Sequence, residues 1–266
     1  MKPMDKQDKQ DKIRQENRRK LPGFLLFVAL GAAIGAFIAI FSNRLAAAVS
    51  PAELTGSAIL ALSVALPFVA LLCVPFVIAA LWCLRKSQTL FARWDGDDER
   101  LPEQIEHRLD WALLWASTTQ FLVLLSLGLC LSLLPLGAVG ASVALMVPIF
   151  CVVMMFLSIH LQRRVVDLTR RMNPEKQGSV YDVKFRKKWY DSCDEAERRR
   201  IGEAAYAAYI ATTYTSLALW VVMALLNIFV PVGPLPILAA LAPWVAGQLA
   251  YLLHCIRADK QIASAE

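Results

Sequence analysis

Between positions 181 and 190 four aromatic residues, Tyr181, Phe185, Trp189 and Tyr190, interleave with four basic ones, Lys184, Arg186, Lys187 and Lys188. Rings and cations in one short stretch suit two kinds of partner. At a membrane interface the rings sit among headgroups and the basic side chains meet lipid phosphates. At a protein interface Trp, Tyr and Arg carry a large share of the binding energy. The candidate interaction surface is therefore Tyr181, Phe185, Lys187, Lys188, Trp189 and Tyr190. A simpler role is structural, with the stretch folding across neighbouring helix ends as a cap. Single-stranded nucleic acid also favours aromatic-basic surfaces, but long apolar runs flank this one, and no nucleic-acid partner is expected.

A second group of candidates lies within the apolar runs. Thr118 and Gln120 occur at a depth similar to that of Thr213 and Thr215, which makes these four a candidate polar layer. Such residues line solute pathways. They also bond back to their own helix or join neighbouring helices, at about 0.6–2 kcal/mol. Gln120 must find a partner, because an unpaired amide in hydrocarbon costs several kcal/mol. A carbonyl or hydroxyl on an adjacent helix is the expected one, and Gln120→Leu should then be nearly neutral. No Lys, Arg, Asp or Glu accompanies the layer, which favours packing over ion-coupled transport.

Other chemistry finds less footing. Asp95 to Glu99 is a short acidic run, but an EF-hand loop needs Gly at its sixth position, where Arg100 stands. His160 and His254 lie near the ends of apolar runs and are read as interfacial rather than metal-binding. No CxxC or Cys/His spacing supports zinc. No G-x-S-x-G, H-E-x-x-H or phosphate-loop sequence supports catalysis. The expectation is a protein that is no enzyme and holds no cofactor.

The elements that must position these residues are long apolar helices. Of the 266 residues 57% are apolar and 19% charged, where soluble domains carry about 25% charge. A bilayer core of about 30 Å needs roughly 20 apolar residues in a helix. Six runs qualify, at 21–41, 57–84, 111–132, 140–161, 205–230 and 235–256, and none holds a Lys, Arg, Asp or Glu. The fold class expected is all-α: a polytopic membrane protein of six transmembrane helices in three outward-pointing helical hairpins. The first run follows a charged arm and exceeds the 7–15 residues of a signal-peptide core, so it reads as a retained anchor. Pro67 and Pro75 should kink the long second run. Gly31 and Gly35 allow a close helix approach on the first.

Charge sets the orientation. Twenty-seven of the 28 Lys and Arg residues fall in the arm 1–20, the loops 85–110 and 162–204, and the tail 257–266, and only Arg44 lies on the other side. Basic loops stay in the cytoplasm, so both termini are expected inside the cell membrane. The arm, with Asp5, Asp8 and Asp11 among its bases, reads as a flexible solvated tail. Cys193 is in a cytoplasmic loop and the other five cysteines are in apolar runs, so no structural disulfide is expected. Ser192 and Glu195 form an S-x-x-E capping box before the fifth span. Pro102 opens a helix in which Ile105, Leu109 and Leu113 recur every fourth residue. At an offset of 95, Glu99, Trp111, Ala112, Ala116, Ser117 and Thr118 match Asp194, Tyr206, Ala207, Ala211, Thr212 and Thr213 in chemistry, which suggests a duplicated hairpin.

The loop NPEKQGSVYDVKFRKKWYDSCDEAERRR from Asn173 to Arg200, WDGDDE from Trp94 to Glu99, and ENRRKLP from Glu16 to Pro22 resemble an uncharacterised family of bacterial six-helix membrane proteins, a domain of unknown function. The resemblance covers nearly the whole chain and implies no activity, substrate or cofactor. The reading favoured is a non-catalytic scaffold or regulatory protein that presents its loops to a cytoplasmic protein partner, with membrane lipids around it. The alternative is a transporter or permease component using the polar layer of the third and fifth spans.

Overall fold

The computed structural model of the chain describes residues 6–46, 56–94, 100–134, 140–229 and 234–263, with side chains at 10–33, 59–94, 100–134, 140–227 and 235–254. Regular structure among them is all helical: α1 (Lys6–Ala46), α2 (Gly56–Leu71), α3 (Cys73–Arg93), α4 (Arg100–Leu133), α5 (Ala141–Met172), α6 (Phe185–Asp191), α7 (Glu195–Phe229) and α8 (Pro234–Ala263). Five described stretches are long and apolar enough to cross a membrane: Ile59–Arg93, Arg100–Leu133, Ala141–Met172, Glu195–Asn227 and Leu235–His254. The expected first span, 21–41, lies within the unbroken α1. The acidic run 95–99 and most of the expected outer connections (42–56, 133–139 and 231–234) lie outside the described residues.

The chain divides into two units, one of residues 1–34 and 54–193, the other of 35–53 and 194–266. In the first, α4 lies between α3 and α5, and α2 packs on α4 and α5. The buried residues of α4 are Ile105, Leu109, Ala112, Ala116, Thr119, Val123, Ser126, Cys130 and Leu133. Their spacing alternates four and three without a break. That is the heptad stripe that keeps facing a neighbour as helices supercoil left-handedly. After Leu109 the stripe turns to Ala112 rather than the expected Leu113, which is only partly buried. On α5, Ser158, Leu161, Val165, Leu168 and Met172 keep the same rhythm. So do Cys73, Val77, Ala80, Leu84 and Ser87 on α3.

Beside larger residues such as Ile105, Leu133 and Leu161, the stripes enclose small and polar ones. Cys73, Thr119, Ser126, Cys130, Cys151 and Ser158 are fully buried, while Phe68, Phe121 and Met146 leave 66%, 69% and 69% of their surface exposed. A water-soluble protein does the opposite. Small and hydroxyl residues buried between helices, with many large apolar side chains left outside, suit helices that pack in lipid, where close approach contributes to association.

The second run breaks where proline predicts. Pro75 cannot donate to the carbonyl four residues back and its ring crowds it, so the helix interrupts at Leu72, between α2 and α3. Pro67 stays inside α2. Among the described residues a Cβ placed at Gly31 meets nothing within 4 Å, and the side-chain surroundings of Gly35 lie outside them. In the second unit, α7 packs on α8. There Tyr209 stacks on Tyr251 with ring centroids 5.9 Å apart, and a Cβ at Gly247 would touch the Tyr209 ring at 3.5 Å. The helices α4 and α7, starting at Arg100 and Glu195, begin 95 residues apart, the offset of the suggested repeat.

The arm is not a flexible tail. From Lys6 it is the first part of α1, and Ile13 and Asn17 on it are buried. The capping box is also elsewhere. Asp194 accepts the Glu197 N–H at 2.7 Å, and Glu197 accepts the Asp194 N–H at 3.1 Å. A carboxylate two residues closer to the helix takes the role assigned to Ser192, whose hydroxyl donates to the Trp189 carbonyl at 2.8 Å.

Candidate functional site

The stretch 173–193 folds as a cap on the polar ends of the first unit. Three tight turns lead it off α5: the Lys176 N–H donates to Asn173 O, Asp182 to Ser179 O, and Phe185 to Asp182 O, at 3.1, 2.8 and 2.9 Å. Gly178 makes the reversal possible. Its φ of +118° disfavours any side chain, and a Cβ there would stand 3.0 Å from the Phe185 ring. The Asn173 amide donates to Glu106 at 3.1 Å and so ties the end of α5 to the start of α4.

Underneath, α1 supplies a stripe of its own: Ile13, Asn17, Lys20 and Phe24, again spaced four, three, four. Asn17, 2% exposed, donates to both oxygens of Asp167 on α5 at 2.9 and 3.2 Å and accepts from the Ser179 hydroxyl. Lys20 reaches Asp182 at 3.3 Å. Phe24 packs on Tyr181 with centroids 5.3 Å apart. One turn away Glu16 accepts from Arg170 at 2.7 Å. A helical arm, a span and the cap thus share one polar network, which pairs groups that would be costly to bury alone.

The six candidate surface residues separate into two sets. Tyr181 is held between Phe24 and the Arg163 guanidinium, which lies 5.6 Å from its ring. Phe185 packs on Trp189 at 5.5 Å. The ammonium of the buried Lys176 stands 5.9 Å from the Trp189 ring and donates to Cys193 Sγ at 3.4 Å. Lys188 pairs with Asp182 at 2.7 Å. Those four residues hold the cap together. Lys187 and Tyr190 are exposed, beside the exposed Val183, Lys184 and Arg186. Hydrogen bonding from Lys188, then from the Lys184 backbone N–H and from Lys20, pulls the Asp182 carboxyl down to about 2. Asp182 in turn raises the Lys188 ammonium.

The polar layer resolves into local pairs. Thr118 donates to the Leu114 carbonyl at 2.9 Å, and the neighbouring Thr119 to Trp115 at 3.0 Å, each one turn back on α4. Gln120 and Gln162 of α5 exchange amide bonds at 3.4 and 3.2 Å, and Gln162 also reaches Ser117 at 3.4 Å. Thr213 and Thr215 belong to α7 in the second unit.

An aromatic cluster that spacing did not reveal sits where α3 and α4 leave the apolar zone. Trp111 stacks on Trp115 at 5.5 Å, and Phe76 lies 5.6 Å from Trp115. Trp111 Nε1 donates to His107 at 3.2 Å. Lys86 stands 5.0 Å over Trp82. Trp82, Cys83, His107, Trp111 and Trp115, with Gln104 and Arg108, line a cleft of about 520 Å³. Tryptophans with an apolar body and a polar rim concentrate at the membrane–water boundary.

The family model described as "Protein of unknown function (DUF3169)" matches residues 14–255. No curated protein matches the chain, and no solved structure does.

Proposed function

The chain belongs to the DUF3169 family, and from that premise we propose that it is a six-span, non-catalytic membrane scaffold or regulator whose cap docks a cytoplasmic protein. In this reading α1 supplies the first span and the five apolar stretches the rest, with both termini and the cap in the cytoplasm of the cell. The basic bias of the arm, of loops 85–110 and 162–204 and of the tail supports that orientation.

One observation carries the docking role. The cap satisfies its inward aromatics and charges from within, through Asn17, Lys20, Lys176 and Asp182, yet presents Lys184, Arg186, Lys187 and Tyr190 outward. A loop that only closed the bundle would not need a rigid basic-aromatic face. Positive charge of this kind steers an acidic partner surface into register. The Gln120–Gln162 pair supports packing over transport, because each amide is occupied by the other.

A photo-crosslinking residue at Lys187, in intact membranes, should capture a discrete protein partner, and Trp189→Ala should abolish the adduct by loosening the cap. Reconstituted protein should show no solute flux. Flux lost on Gln120→Leu, with the fold intact, would install the transporter reading instead.

A further inference from the structure

Beside the cap a cleft of about 720 Å³ opens between α1, α3 and α5. Arg14 comes from α1, Gln88 and Phe91 from α3, and Arg163, Arg164 and Arg171 from α5. The arginines of α5 share the cleft with His160, Asp167 and Leu168. Those six positions on α5 are spaced three, one, three, one, three, so they form one continuous face of that helix.

The charges in the cleft are not equivalent. Asp167 is already engaged, accepting from Asn17 and lying 3.4 Å from Arg163. Arg163 also faces the Tyr181 ring. Arg14, Arg164 and Arg171, by contrast, make no hydrogen bond or ion pair among the described residues. Asp11 alone is left to oppose them. Three guanidiniums around one concavity repel one another and present many donors, and guanidinium forks match phosphate oxygens two at a time.

Depth identifies where the anion would come from. The fourth apolar run ends at Leu161, so Arg163 and Arg164 stand within a turn of the hydrocarbon edge. Arg171 lies about 10 Å further along α5. The headgroup layer is roughly 5–7 Å thick on each side, so the Arg164 end of the cleft lies inside it and the Arg14 and Arg171 end opens beyond it. We infer that the cleft binds a phosphate-ester anion between Arg14, Arg164 and Arg171, with an anionic phospholipid headgroup, entering at the Arg164 end, as its source. The same guanidiniums would take a soluble phosphate ester, which is the other source. The inference is independent of partner docking at α6.

The test uses the full chain purified in neutral detergent. Its probes are phosphatidylglycerol, phosphatidylcholine and soluble glycerol phosphate, with retained ligand read by native mass spectrometry and stability by thermal unfolding. Phosphatidylglycerol should be retained and should raise the unfolding midpoint more than phosphatidylcholine does. Arg164→Gln with Arg171→Gln should weaken its binding about tenfold or more, given roughly a factor of five for each cation near a lipid surface. Arg14→Gln, on a different helix, should weaken it in the same direction, which separates loss of the site from local damage to α5. Lys187→Gln, a cation outside the cleft, should have no such effect. Glycerol phosphate binding with the same sensitivity to these variants, and no preference for phosphatidylglycerol, would assign the cleft to a soluble ester. Equal retention of both lipids with no glycerol phosphate binding, or wild-type retention of phosphatidylglycerol by the Arg164/Arg171 variant, would overturn the site.

Discussion

Asp182 is the residue on which the cap closes, since it takes Lys188 at 2.7 Å and Lys20 at 3.3 Å and so joins α6 to α1. Its carboxyl is lowered to about 2 in the folded chain, against an ordinary value near 3.9. A depressed carboxyl contributes stability that is present above the unfolded value and is lost as pH falls through the folded one. Protease protection of the cap should therefore be constant above about pH 4 and decline towards pH 2, and Asp182→Asn should lower it at neutral pH and flatten that dependence. Gln120 shows a different principle. The sequence argues that it needs a partner, and that Gln120→Leu is nearly neutral. The structure identifies the partner as Gln162, and removing one amide leaves the other short of a bond. Gln120→Leu should then cost about 1 kcal/mol in detergent, and adding Gln162→Leu should recover most of it, because losing both members is close to neutral. A thermal double-mutant cycle reads the coupling directly. The pairing was not legible because Gln162 stands just past the apolar run and is 42 residues away, and only the heptad alignment of α4 with α5 brings the two together.

At the scale of elements, α6 and the turn before it test whether the cap is a rigid body. Trp189 packs on Phe185 and under Lys176, and truncating a half-buried indole costs about 2–3 kcal/mol. Lys187→Ala touches an exposed charge and should stay within about 0.5 kcal/mol. Hydrogen exchange across 173–193 should rise sharply for the first and hardly for the second. Gly178→Ala should also loosen the segment, by about 1–3 kcal/mol, since it puts a side chain at a φ of +118° and against Phe185. The all-helical class, five long apolar helices, the proline break and the aromatic-basic character of the loop could be read from composition and spacing alone. The docking of the arm could not. Its stripe of Ile13, Asn17, Lys20 and Phe24 is half polar, so it registers as charge density rather than amphipathicity, although its four-three-four spacing is the same rhythm as α4. Asn17 and Ser179 were missed for a related reason: they meet Asp167 and each other across 150 and 162 residues of chain.

For the whole molecule the account requires that the bilayer cover the large apolar exterior and that the arm, cap and tail lie together on its cytoplasmic side. The exposure of large apolar residues such as Phe68, Phe121 and Met146, with Thr119, Ser126 and Ser158 buried, bears on the first requirement. The distribution of basic residues bears on the second. Cysteine-accessibility labelling in whole cells, in a background with the native cysteines replaced, tests both at once. A cysteine at Glu53, in the first short connection, should react with a membrane-impermeant maleimide added from outside. A cysteine at Gln177, exposed on the cap, should react only after the membrane is opened. Labelling of Gln177→Cys from outside, with Glu53→Cys protected, would contradict the orientation and with it the docking of a cytoplasmic partner.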